Sequence, residues 1–263
     1  MDTICIVLLV IVLITFALVY LMCTNIMNTT KGGNDDLNDK MNDKLESNVI
    51  NPIISQIYKT KQVELLDGKT IPLRANVHDK EGLLIYTLVK KHKLTRCMEI
   101  GFAMGLSALH ICQAFADLTD KTDKMELISI DPFQDKNWKC AGISNIKKAG
   151  FEKYHTWIKD KSYSAMPKFL TKKPFDFIFI DGWHTFDYTL VDMFYADRLL
   201  RIGGYLLIDD ALHQGPSKAI AYSNKNYKHW KRITFDGVDV PKTQVLYQKI
   251  AEDTKDWDYH VDF

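Results

Sequence analysis

Four short, largely apolar runs constrain this chain more than anything else in it: RCMEIG (96–101), ELISID (126–131), FDFIFID (175–181) and GYLLIDD (204–210). Such runs read as strands buried on both faces, and segments of helical character stand between them. One helix is expected from about Ser107 to Asp117, NIKKAGF closes another, and a third is expected over about 187–201. YHTWIKD (154–160) adds a strand, followed by AMPKFL. Upstream, HDKEGLLIYTLVKKHKL has a start signal at Asp79 and lysines near its end, which predicts a helix. Near the carboxyl end, HWKRITF and TQVLYQKI are separated only by DGVDVPK. That link is too short for a crossover helix, so the two pair antiparallel. The implied fold is α/β: a doubly wound, mostly parallel sheet with helices on both faces and a terminal antiparallel strand pair.

The runs end in a costly way. Asp181 closes one, and Asp209 with Asp210 closes another. A carboxylate at the edge of a core is expensive unless something pairs with it. In open α/β sheets, ligands bind outside the carboxyl ends of the strands, which is where these acids fall. EIGFAMGLS places Gly101 and Gly105 between the first strand and its helix, so a ligand can approach the backbone. Asp131 ends the second strand, where a carboxylate can accept both hydroxyls of a ribose. Together they describe an adenosine-type site without a pyrophosphate cradle, because the chain has neither G-x-G-x-x-G nor a P-loop. The bland alternatives are a tight turn with a capping acid, and Asp209 and Asp210 capping the turn that follows them.

The chain has 263 residues, 46% of them hydrophobic, enough for one sizeable core. Its formal net charge of +1 shows no basic excess, so nucleic acid is not expected as a partner. Five cysteines without regular spacing suggest neither a disulfide framework nor a zinc site, and point to a reducing environment for the main domain.

The amino-terminal region differs in kind. Ile4 to Met22 carries no charge, and the uncharged run extends from Thr3 to Thr30. It is long enough to cross a bilayer and lacks the basic flank and small-residue cleavage site of a signal peptide. The expected division is therefore a transmembrane anchor over 1–27, a polar linker over 28–48 and a folded domain over 49–263. Lys31, Lys40 and Lys44 follow the apolar run, whereas only Asp2 precedes it. The positive-inside tendency then puts the folded domain of a single-pass protein on the cytosolic side. The NTT sequon at Asn28 is the opposing cue.

From Asn76 onward the chain resembles the class I S-adenosylmethionine-dependent methyltransferases, and more narrowly the metal-dependent O-methyltransferases of the catechol and caffeoyl-CoA type. The resemblance rests on ANVHDKEG, MEIGFAMGLSAL, IKKAGFEKYHTWIKDKSYSAMPKFL and LLRIGGYLLIDD, in that order. It implies a seven-stranded sheet and a donor site in which Val77 lies against the cofactor. The backbone around Gly101 and Gly105 would approach the methionine part, with Glu99 and Ser107 making polar contacts. Asp131 would hold the ribose and Ser162 would sit near the adenine, although DKSY departs from the usual Gly-Asp there. Asp181, Asp209 and Asp210 match the three metal ligands of that family, a set suited to Mg²⁺. The acceptor would be a small hydroxylated molecule, a vicinal diol or catechol-like ring. The family's Asp-x-Trp-Lys reads DGWH here, so His184 would replace the lysine base, and Trp183 would wall the acceptor pocket or simply pack. Two alternatives stand beside this reading: a nicotinamide-dependent oxidoreductase, and a non-catalytic cofactor-binding module of the same fold.

Overall fold

The computed structural model describes residues 51–118, 124–235 and 239–263. The expected membrane anchor and polar linker lie outside these residues. Among the described residues, no helix is long and apolar enough to cross a membrane.

The described chain opens with helix α1 (Pro52–Thr60), which the Asn51 side chain caps by accepting the Ile53 N–H. A hairpin of β1 (Gln62–Glu64) and β2 (Thr70–Pro72) follows. Neither element was expected, although Asp67-Gly68 is a hairpin turn signal. Gly68 sits at φ +82°, which glycine adopts without steric cost. Helix α2 (Asp79–Lys91) starts where Asp79 predicted. Its Glu81 side chain reaches back to the His78 N–H at 2.7 Å and closes the first turn.

Strand and helix then alternate: β3 (Arg96–Ile100), α3 (Leu106–Asp117), β4 (Glu126–Ile130), α4 (Ala141–Lys148), β5 (His155–Ile158) and the short α5 (Ser162–Ala165). After these come β6 (Phe175–Ile180), α6 (Phe186–Leu199), β7 (Leu200–Ile208), α7 (Gln214–Asn226), β8 (Trp230–Arg232) and β9 (Val245–Lys249). The larger sheet has seven strands in the order β5-β4-β3-β6-β7-β9-β8. Pairing is parallel from β5 through β7, and antiparallel between β7 and β9 and between β9 and β8. The expected seven-stranded α/β sheet with its terminal antiparallel pair is the one found. Strand β7 begins at Leu200 rather than 204, with a register shift against β6 between Phe175 and Phe177. Gly203 and Gly204 hid that beginning, because paired glycines read as a turn while here they serve a strand irregularity.

Side chains along a strand alternate between faces. Met98, Ile100, Ile128, Ile130, Ile178, Ile180, Leu206 and Ile208 form one core cluster with Met193, Ala196 and Leu199 of α6 and Ala219 and Ile220 of α7. The residues between them, among them Cys97, Glu99, Ser129, Phe177 and Phe179, are also buried and point to the opposite face. Strand order reverses beside β3, whose neighbours are β4 on one side and β6 on the other. The loops after β3 and β6 therefore open a crevice at their carboxyl ends.

Candidate active site

The loop after β3 is shaped by glycine. Gly101 has φ +90°, and a Cβ there would lie 1.9 Å from the Asp181 carbonyl oxygen. Close packing of the β3 and β6 loops therefore requires glycine at this position. Gly105, at φ +78°, begins α3 with the Phe102 ring and Gly142 against it. Asp131 closes β4 and organises the same loop. Its Oδ2 accepts the Ala103 N–H at 2.8 Å and the Phe102 N–H at 3.3 Å, and its Oδ1 accepts the Phe133 N–H at 2.7 Å. Gln134 Nε2 also donates to Oδ2 at 3.3 Å, so Oδ2 is filled and the acceptor capacity left for a hydroxyl lies on Oδ1, which takes a single hydrogen bond.

Glu99 is fully buried one layer below. Its carboxyl accepts from Ser107 Oγ at 2.7 Å and Ser129 Oγ at 2.5 Å, and Ser129 Oγ also lies 2.7 Å from His155 Nε2. Burial pushes the Glu99 carboxyl up to about 8. Under the loop after β6, Asp192 of α6 is buried with Oδ1 lacking a partner, and burial raises it to about 7.

The acids gather at two neighbouring strand ends. Asp181 follows β6, while Asp209 and Asp210 follow β7, with Asp210 at φ +52°. Asp209 turns inward: Oδ1 accepts the Asp210 N–H at 2.8 Å and Oδ2 accepts from Gln244 Nε2 at 3.2 Å. Asp210 turns toward His184, whose Nε2 lies 2.9 Å from Asp210 Oδ2 and 3.6 Å from Asp181 Oδ1. Burial raises Asp181 and Asp209 above the usual carboxylate range; the His184 hydrogen bond partly offsets this at Asp181, and neighbouring carboxylates, Glu81 among them, add to it at both. Hydrogen bonds to Asp181 and Asp210 push His184 up to about 10, and His184 in turn lowers Asp210. Carboxyls crowded together in this way are held ionised more easily by a nearby cation. Their hard oxygen donors suit a divalent cation such as Mg²⁺.

A cavity of about 750 Å³ joins these groups. Its lining includes Gly101, Asp131, Ser162, Asp181, His184, Asp209 and Asp210 of the expected set, with Trp183, Phe133, Trp138 and Tyr188 as aromatic wall. Trp183 stands at the mouth, 58% exposed, its ring centroid 6.5 Å from that of Phe133. Val77, Glu99, Gly105 and Ser107 lie behind the lining, although Asn76 and His78, on either side of Val77, belong to it. The structure adds residues that sequence reading passed over. Glu81 lines the same cavity, and its signal lay in the quoted ANVHDKEG. His213 places Nε2 3.7 Å from Asp210 Oδ1 and its ring 5.4 Å from that of His184. His184, Asp210 and His213 bring ligand atoms within 4.8 Å of one another, whereas among the described residues Asp181, Asp209 and Asp210 do not converge so closely as a set. Another such group, Asp197, His229 and Asp253, also receives Trp230 Nε1 on Asp197 at 2.8 Å.

One cavity thus joins a glycine-shaped loop, an acid at the next strand end and a group of carboxylates. Residues 98–211 match the family model described as a methyltransferase domain. Over that stretch the chain is similar to a methyltransferase domain, which favours methyl transfer over the nicotinamide alternative. The fold of the described domain is also found in solved methyltransferases. A Podospora anserina methyltransferase bound to S-adenosylhomocysteine superposes with a TM-score of 0.61 at 16% identity, covering 83% of this chain and 97% of that one. The Streptomyces achromogenes O-methyltransferase of tomaymycin synthesis, in complex with S-adenosylmethionine, gives 0.57 at 15%, covering 78% and 93%. A Bacillus cereus O-methyltransferase in complex with S-adenosylhomocysteine gives 0.55 at 14%, covering 75% and 89%.

Proposed function

We propose that this protein transfers the methyl group of S-adenosylmethionine to a hydroxyl of a small acceptor, a vicinal diol or catechol-like molecule, with a divalent cation at Asp181, Asp209 and Asp210. One observation carries the reading: carboxylates from β6 and β7 meet His184 in the same cavity that Gly101 and Asp131 line. Asp131 holds the donor's ribose, the loop at Gly101 faces its methionine part, and Ser162 lies at its adenine end. A bound cation supplies Lewis-acid polarisation of the acceptor hydroxyl.

The chain's own residues do the rest. Paired with two carboxylates, His184 stays protonated; once their charge is neutralised, that hold weakens and the imidazole becomes a base. Neutral His184 takes the hydroxyl proton while the acceptor oxygen attacks the methyl carbon. The carbon–sulfur bond breaks, leaving a methyl ether, S-adenosylhomocysteine and imidazolium. Trp183, Phe133 and Tyr188 orient the acceptor and keep water from the reacting oxygen, and alignment supplies much of the rate. We further propose that residues 1–27 anchor the domain to a membrane with its active site in the cytosol. Protease treatment of sealed microsomes tests this placement; full protection of the domain, or a glycan on Asn28, reverses it. The catalytic reading is tested by offering donor with a labelled methyl to a panel of catechols, sugar diols and polyols. Label in an ether product supports it, and donor binding without transfer to any acceptor favours the non-catalytic module.

A further inference from the structure

A bridge of hydrogen bonds crosses the cavity from α2 to the acids. Glu81, 5% exposed, belongs to the helix that follows the 75–78 wall of the site. Its Oε2 accepts the His78 N–H at 2.7 Å and so fixes that wall. Its Oε1 accepts from Thr243 Oγ1 at 2.5 Å. Thr243 precedes β9 and is fastened beside the acids, because its carbonyl accepts the Ala211 N–H at 2.8 Å. The next residue, Gln244, donates from Nε2 to Asp209. Gln244 is 1% exposed, yet its Oε1 has no hydrogen-bond partner. A buried acceptor left unpaired calls for a ligand or ordered water nearby.

From this geometry we infer that Glu81 is a fourth carboxylate of the cation site, and that the Glu81–Thr243–Gln244 bridge couples cation binding at Asp209 to closure of the 75–78 segment over the methyl donor. The inference rests on the reading given under Proposed function and adds to it a positioning residue and a linkage between two sites. Two features support it. Glu81 lines the same cavity as Asp181, Asp209 and Asp210 and so adds a further carboxylate to it. One Glu81 oxygen is committed to the donor side and the other to the cation side, so a shift at either is felt at the other. Such a coupling is reciprocal: the cation tightens donor binding by the factor by which the donor tightens cation binding.

The test uses full-length protein, with Mn²⁺ binding read by electron paramagnetic resonance and S-adenosylhomocysteine binding by calorimetry. In the wild type, saturating Mn²⁺ should tighten S-adenosylhomocysteine binding about fivefold or more. Glu81→Gln keeps an acceptor for the His78 N–H but removes the charge, and should weaken Mn²⁺ binding roughly 10- to 100-fold. Thr243→Val should abolish the coupling, with each ligand still bound alone, and Thr243→Ser should restore it. Unchanged Mn²⁺ affinity in Glu81→Gln, or coupling that survives in Thr243→Val, overturns the inference and leaves the catalytic reading standing. If wild-type protein binds S-adenosylhomocysteine but no Mn²⁺, the inference and the cation part of the function fall together.

Discussion

A single imidazole spans two strand ends: His184 Nε2 lies 2.9 Å from the Asp210 carboxylate and 3.6 Å from that of Asp181. Without a cation, the imidazolium is the nearest positive charge to these acids. Its folded pKa is raised above 6.5, to about 10, so the stability it lends is complete below pH 6.5 and lost as pH rises through about 10. Nitrogen-15 NMR of histidine-labelled protein in EDTA should show His184 still protonated at pH 8. Saturating Mg²⁺ should then lower its pKa. Titration at or below 6.5 in EDTA contradicts this electrostatic account.

In the proposed donor site Asp131 would act in two ways, through the loop amides it accepts and through the lone pair left on Oδ1 for ribose. A hydrogen bond to a charged group is worth about 1.5–3 kcal/mol. Asp131→Ala should weaken S-adenosylhomocysteine binding at least about tenfold. Calorimetry showing unchanged affinity removes Asp131 from the donor site.

Glu99 provides a pH signature away from the acids. Its folded pKa of about 8 exceeds the ordinary 4.5, so its contribution to stability is fully present below pH 4.5 and is lost as pH rises through about 8. Glu99→Gln removes the buried charge. The melting temperature of this variant relative to wild type should climb between pH 4.5 and 8, by a margin equivalent to about 2 kcal/mol or more. A difference that stays flat over that range shows that the buried carboxyl titrates normally.

Much of this was legible in the sequence, for physical reasons. Doubly buried strands such as FIFI carry apolar residues on both faces, and their abrupt end in Asp181 marks a site because burial makes such an acid costly. Gly101 was legible as a close approach of some kind, but what approaches is the Asp181 backbone, a long-range contact. The roles of Glu81 and Thr243 were not legible, because residues 162 positions apart meet only after the sheet has closed. His213 was hidden for a similar reason: its proximity to His184 depends on Asp210 turning at positive φ. Boundaries failed where glycines served a strand, as at Gly203.

The most direct test of the whole account is methyl transfer with and without a divalent cation. Purified protein treated with EDTA is given labelled S-adenosylmethionine and an acceptor diol, then resupplied with Mg²⁺, beside an Asp209→Ala variant that is shown to be folded. The account predicts transfer that EDTA abolishes, that Mg²⁺ restores, and that Asp209→Ala lowers by at least about tenfold, the low end of losses typical even for groups that only support a metal's ligands. Undiminished transfer in EDTA, with Asp209→Ala as active as wild type, would contradict it.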